Sequence, residues 1–346
     1  MKDLGKTKFC LGLQIEHRPL GILVHQSAYI QKILEKFNMD KSYPNKTSMV
    51  VRSLELGKDP FRPWDVGEKM LGLEIPYLSA IGALIYLANC TRPDIAFAVN
   101  LLARHSADPT CHHWTGANCI LKYLNGTKDL GLFFKKNHDP SMIGYADAGY
   151  LSDPHNRKSQ TGFVFLHGGT SISWKSSKQT LTATSTNHSK IITLYEASRE
   201  CVWLHRMINH IQQSCGTSSI ESPTIIHEDN STCVTQMQTG YIKSNITKHI
   251  VPKLFYPHKL QESGEINILQ IKSCDNLADL FTTSLPTSVF QKLVHGISMR
   301  RLRDLPKLGG RHLLDATCTN IILYSFLSQV LLKRFLVKIF NEVILT

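Results

Sequence analysis

Three aspartates in the second half of the chain stand where carboxylates are costly unless they are used. Asp147 lies within "SMIGYADAGY", on the same side of a strand as Ile143 and Tyr145, where an unpaired carboxylate is expensive to bury. Asp229 ends the strand "TIIHED" just before a helix, and Asp279 falls in the first helical turn of "DNLADLFT". Acids at strand ends and helix starts can converge at the carboxyl edge of a sheet. Two divalent cations held there would activate a water and stabilise the leaving oxygen in phosphodiester hydrolysis. Each acid alone reads as a cap or a solvated end; only the set makes a case.

A fourth residue bears on the same place. The segment "TSTNHSKIITLYEASRECVWL", residues 184–204, has helical periodicity, and at about 100° per residue Lys190 shares a face with Leu194, Ala197 and Cys201. That face should turn toward a core. With Asn187 or Ser185 as N-cap, the lysine also sits near the positive end of the helix dipole. From phase alone it reads as a surface lysine snorkelling past the first turn.

The elements that must carry these residues are legible as two grammars. Residues 8–26 form a hairpin around Pro19 and Gly21, and "SAYIQKILEKFNM" follows with helical spacing. A polar connector over 40–70 leads to three helical segments, "YLSAIGALIYLANC", "PDIAFAVNLLARHSA" and "HHWTGANCILKYLNG", expected to form a compact helical subdomain. Near residue 139 the pattern changes. "SMIGYADAGY" and "GFVFLHGGTSISWKS" give three antiparallel strands, followed by the Lys190 helix, the strand "TIIHED", the helix-like "NSTCVTQMQ", a loop, the strand "INILQI" and a helix from about Asn276. Beyond Pro286 another helix is expected over 287–303. The order βββαβαβα predicts an α/β unit with a mixed sheet flanked by helices.

Composition points to a polyanionic partner. The chain has 346 residues, enough for about two domains, with a net charge of +12 and a pI of 9.2. Nine Lys/Arg against three acids after residue 288 place half of that charge in the last 58 residues. Nine cysteines without a CxxC pair suggest neither a disulfide framework nor a zinc module, and "CHHWTGANC" fits no common ligand spacing. The N-terminus lacks the apolar core of a signal peptide, so an intracellular chain, cytoplasmic or nuclear, is expected, with Asn230 and Asn245 unmodified. In the tail the longest uncharged run, 316–332, is shorter than the roughly 20 apolar residues of a bilayer span, which favours a packed or interfacial helix.

Several motifs together carry a resemblance: "GYADAGYLSDPHNRKSQTGFVFLHGGTSISWKSSKQTLTATSTNH", "ASRECVWL", "HEDNST", "TKHI" and "DNLADLFT". They resemble the ribonuclease H (RNase H) domain of plant Ty1/copia-type retrotransposon Pol polyproteins. "PYLSAIGALIYLANCTRPDIAFAVNLLARHSADPT" resembles the segment joining polymerase to RNase H, and residues 1–70 resemble the end of the polymerase. The resemblance implies four regions: 1–70, the C-terminal end of reverse transcriptase; 71–138, a helical thumb or connection; 139–300, an RNase H-like domain with a mixed five-stranded sheet; 301–346, a basic and apolar tail. It implies cleavage of RNA in an RNA:DNA hybrid with two Mg²⁺ ions. By position the acids that hold them are Asp147, Asp229 and Asp279. The paired-aspartate motif of the polymerase would precede residue 1, so no polymerase activity is expected.

The fourth family acid is a glutamate in a run that reads "NHAEI" in relatives. Here the run is "NHSKI", and the glutamate falls on Lys190. An ammonium has three donors and no acceptor, so the exchange removes a ligand and shifts the local charge by two units. At about 4 Å and an effective dielectric near 20, each unit interaction is worth roughly 4 kcal/mol, which approaches a thousandfold in affinity or rate. Lys190 could instead pair with Asp147 or Asp229. Glu196 and Glu200 lie too far around or along the helix to substitute, and Glu228 should face away from Asp229 by strand alternation. The expectation is a catalytically deficient RNase H-like chain that retains nucleic-acid binding through Arg157, Lys158, Lys175, Lys178 and Lys248. An active two-metal hybrid ribonuclease and a captured scaffold protein are the alternatives.

Overall fold

The computed structural model describes residues 7–55, 57–72, 74–136, 141–214, 222–241 and 250–307. Lys248 and the tail from residue 308 lie outside the described residues. In chain order the elements begin with strands β1 (Phe9–Cys10), β2 (Leu13–Arg18) and β3 (Gly21–His25) and helix α1 (Ser27–Lys36). Helices α2 (Tyr77–Cys90), α3 (Ala96–Ala103) and α4 (Cys111–Gly126) and strand β4 (Leu130–Lys135) follow. Next come β5 (Met142–Asp153), β6 (Lys158–His167), β7 (Thr170–Lys178), α5 (Thr186–Ser214), β8 (Thr224–Glu228), α6 (Ser231–Thr239), α7 (Val251–Glu262) and β9 (Ile266–Gln270). Helix α8 (Thr287–Gly296) and strand β10 (Met299–Arg301) complete the set.

The chain divides into two compact units. One takes described residues from Met1–Arg52, Pro60–His138 and Ser284–Thr346, the other from Ser53–Asp59 and Asp139–Thr283. In the first, the three expected helices are present, and they accompany an antiparallel sheet of order β1-β2-β3-β4-β10. The apolar run "LGLFF" becomes β4 because it pairs with β3, Leu23 opposite Phe133. A buried ion pair braces this unit. Arg92 donates to Asp94 at 2.7 Å and to the Thr127 carbonyl at 3.0 Å, while Tyr123 donates to Asp94 at 2.7 Å.

The second unit holds the expected five-stranded mixed sheet, in the order β7-β6-β5-β8-β9. β5, β6 and β7 are antiparallel, whereas β8 runs parallel to both β5 and β9. Its core includes Phe163, Phe165, Ile226 and Ile268 from strands and Ile191, Leu194, Ala197, Cys201 and Leu204 from α5.

Three expectations differ from what is observed. The loop before "INILQI" contains α7, which packs on α5 through Tyr256 against Tyr195, ring centroids 5.5 Å apart. The helix expected from Asn276 is a short 3-10 segment, Leu277–Phe281. The helix expected over 287–303 ends at Gly296, and Met299–Arg301 instead form β10, which pairs with β4 in the first unit.

Candidate functional site

The site forms where β5 and β8 separate. Their parallel pairing ends at Tyr145 opposite His227, and Asp147 and Asp229 each lie two residues further on. Beyond that point β5 continues against β6, while the chain after β8 turns into α6 with Asn230 as N-cap, its side chain accepting from Cys233 N at 2.9 Å. Because Asn230 caps α6, the Asp229 carboxylate remains available to the crevice. This is a place where strand order reverses about adjacent parallel strands, the usual location of sites in open α/β sheets.

Helix α5 delivers Lys190 into the crevice. Ser185 accepts from His188 N at 3.2 Å, which fixes the start of the helix, and the buried stripe Leu194, Ala197, Cys201 sets its rotation. Lys190 is 5% exposed. Its Nζ donates to Asp147 Oδ1 at 2.5 Å and to Asp229 Oδ1, and it lies 3.1 Å from Glu228 Oε1.

The 3-10 segment brings Asp279. Asn276 caps it by accepting from Ala278 N at 3.1 Å and anchors it by donating to the Ala146 carbonyl at 2.9 Å, while Ser176 donates to the Phe281 carbonyl at 2.6 Å. Gly162, directly opposite Asp147, makes room: a Cβ there would collide with Thr282 Cγ2 and lie 3.0 Å from Phe281 Cβ. Gly149 does the same, since a Cβ would sit 2.8 Å from the Thr282 carbonyl. Thr282 thereby reaches Asp147 and donates to Oδ2.

Carboxylate oxygens of Asp147, Asp229 and Asp279 lie within 4.8 Å of one another, a spacing that suits a divalent cation. The donors around them do not. Lys190 and Thr282 occupy both oxygens of Asp147, and Lys190 and Ser273, the latter at 2.6 Å, occupy both oxygens of Asp229. With an ammonium already between two of the three carboxylates, the residues as they stand do not fit a metal ion.

The electrostatics agree. Burial works against the Lys190 charge, but Asp147 and Glu228 outweigh it, so its pKa is raised and the ammonium is retained. Burial would raise Asp229, yet interactions with Glu228, Lys190 and Ser273 hold it below the usual carboxylate range. Asp279 goes the other way: burial, then the charges of Asp147 and Asp229, push it up to about 7. Burial also raises Glu228 well above its ordinary value, only partly offset by Lys190. Glu228 Oε1 accepts from Asp229 N and Asn230 N, at 3.0 and 3.2 Å, while buried Oε2 has no hydrogen-bond partner, a poor place for a full negative charge. Lys190 is therefore shared chiefly by Asp147 and Asp229.

The structure thus gathers Asp147, Lys190, Asp229 and Asp279. It corrects the expectation that Glu228 faces away: alternation places it inward with Thr224 and Ile226, and Asp229 escapes the alternation because β8 ends at Glu228. It gives other partners to three basic candidates. Lys158 donates to the Thr180 carbonyl at 2.6 Å, Lys175 pairs with Glu196 at 2.8 Å, and Lys178 lies 3.8 Å from Asp153. Arg157 is exposed at the β5–β6 turn. A cation that the sequence did not single out, Lys272, lines a cavity of about 470 Å³ beside Asp229 with Gln270, Ile271 and Ser273.

The chain is 34% identical over 293 residues to the retrovirus-related Pol polyprotein from transposon TNT 1-94 of Nicotiana tabacum, covering 84% of this chain and 21% of that protein. The chain belongs to the Ty1/copia-type retrotransposon Pol polyproteins. It spans about a fifth of the length of this tobacco relative. This Pol chain is also 40% identical over 130 residues to secreted RxLR effector protein 161 of Plasmopara viticola, covering 38% of the chain and 92% of the effector. Among solved structures, LC11-RNase H1 in complex with an RNA/DNA hybrid is 21% identical with a TM-score of 0.28, covering 41% of the Pol chain and 94% of that chain. No family model matches the Pol chain. No helix among its described residues is long and apolar enough to cross a membrane.

Proposed function

We propose that the Asp147 unit is an RNase H-like nucleic-acid-binding unit deficient in two-metal hydrolysis. The observation that carries this reading is Lys190 Nζ, which donates to both Asp147 and Asp229 and supplies internally the positive charge that Mg²⁺ would bring. The partner class is RNA:DNA hybrid or a related nucleic acid. Lys272 beside Asp229 and Arg157 at its turn are the described candidates for phosphate contact, and Lys248 is a further candidate outside the described residues. Binding of this kind neutralises phosphates, so affinity should fall steeply with salt and depend little on sequence.

A second reading, weak residual hydrolysis, is favoured by the 4.8 Å spacing of the three aspartates. Cleavage of a labelled hybrid in Mg²⁺ and in Mn²⁺ separates the two. The proposal expects no cleavage by the native sequence and a gain of metal-dependent cleavage in Lys190→Glu. Cleavage by the native sequence that Asp147→Asn abolishes would overturn the proposal in favour of the second reading.

A further inference from the structure

The first unit contains a cavity of about 250 Å³ that the acid crevice does not explain. Its floor is apolar: Leu130, Phe290, Val294 and Met299, each almost fully buried. Its rim carries Lys46, Arg300 and Arg301, with Asp304 as the opposing charge. Arg301 is committed, since its Nη1 donates to Asp129 Oδ1 at 3.0 Å. Arg300 differs. Its Nη1 donates to the carbonyls of His295 and Met299, at 2.7 and 2.8 Å, and no carboxylate pairs with it among the described residues. Lys46 is likewise exposed without an ion-pair partner among them.

Two backbone carbonyls therefore hold one edge of the Arg300 guanidinium in place and leave the rest of its fork for a ligand. Burial lowers the Arg300 pKa, and the His295 pKa is lowered by burial first and then by the nearby charges of Arg300 and Lys135. A guanidinium fixed in orientation and not neutralised by an acid matches a tetrahedral oxyanion, for which arginine supplies paired donors. The cavity is below the usual 300–1,000 Å³ of sites for drug-sized ligands, so one small group, not an extended molecule, fits inside.

We propose that this cavity binds a phosphate group of a nucleic-acid strand, with Arg300 and Lys46 as its donors. It is a site separate from the carboxylate crevice, and it stands whether or not the crevice binds nucleic acid.

The test uses the full chain, with fluorescence anisotropy of a labelled single-stranded oligonucleotide at several salt concentrations and sodium phosphate as a separate probe. Arg300→Gln should weaken oligonucleotide binding by about tenfold, the value of a charge-assisted hydrogen bond, and reduce the salt slope by about one. Because Arg300 also braces two carbonyls, Lys46→Glu provides a variant that disturbs no described contact, and it should weaken binding as well. Asp304→Asn should strengthen it. Unchanged affinity and slope in both Arg300→Gln and Lys46→Glu would overturn the proposal, as would binding of sodium phosphate by a chain that binds no oligonucleotide. Substitutions at Lys272 and Arg157 leave this cavity intact, so their effects report on the crevice separately.

Discussion

At the scale of single residues, the chemistry turns on a lysine whose ammonium three carboxyl groups surround. Removing one partner of such a buried cluster leaves uncompensated charge, at a cost of about 3–5 kcal/mol. Lys190→Ala is therefore expected to lower the urea midpoint without changing the slope, and Lys190→Ala combined with Asp147→Asn should recover part of the loss. Asp279 gives a pH signature of known sign. Its folded-state pKa of about 7 lies above the ordinary 3.8, so the native state binds the extra proton, and stability falls as pH rises from about 4 to about 7. Asp279→Asn should flatten that stretch of the stability–pH curve. Asp229, held low, acts in the opposite sense and loses its contribution only below about pH 4. Helical phase put Lys190 on the core-facing side of α5 yet by itself read as a surface lysine, and only the three aspartates gave that direction a meaning. Glu228 was not legible, because alternation was carried one residue past the end of β8, and Thr282 was not, because it meets Asp147 from 135 positions away.

At the scale of elements, strand alternation and turn glycines sufficed for β5, β6 and β7, whose pairing is local in sequence. Helix α7 was hidden by its prolines. Val251 and Pro252 open the helix, where a missing N–H costs nothing, while Pro257 forfeits an interior bond that packing against α5 offsets. Strand β10 left no signal in three residues and exists only because β4 is there to pair with it. The 3-10 segment exists for a related reason: Gly162 and Gly149 leave a shallow seat on the sheet, and Asn276 ties the segment into it. Gly162→Val should unseat Thr282 and destabilise the unit by about 1–3 kcal/mol, the range for forcing bulk into a packed site. Tyrosine and histidine resonances of the neighbouring Tyr145–His227 pair offer a local readout by NMR, and shifts confined to other regions would contradict the assignment of Gly162 to this seat.

At the scale of the molecule, the net charge of +12 lies in the first unit and the tail, since the second unit carries 13 Lys/Arg against 14 Asp/Glu, and composition alone indicated a polyanionic partner without locating a site for it. The division at Thr283/Ser284 could not be read from sequence, since the last described helix and strand return to a sheet begun at Phe9. Thermal unfolding followed in EDTA and in millimolar Mg²⁺ should give the same midpoint for the Asp147 unit, whereas Lys190→Glu should become stabilised by Mg²⁺ as any folded state is by a ligand it alone binds.

That contrast reaches beyond stability. A dissociable ion lets a site be loaded, stripped and reloaded, so its state follows the ionic composition of its surroundings. The ammonium of Lys190 is covalently part of α5 and cannot be exchanged or chelated. The positive charge of this crevice is thus written at translation and indifferent to the metal ions around it, whereas the proton on Asp279 still follows the surroundings.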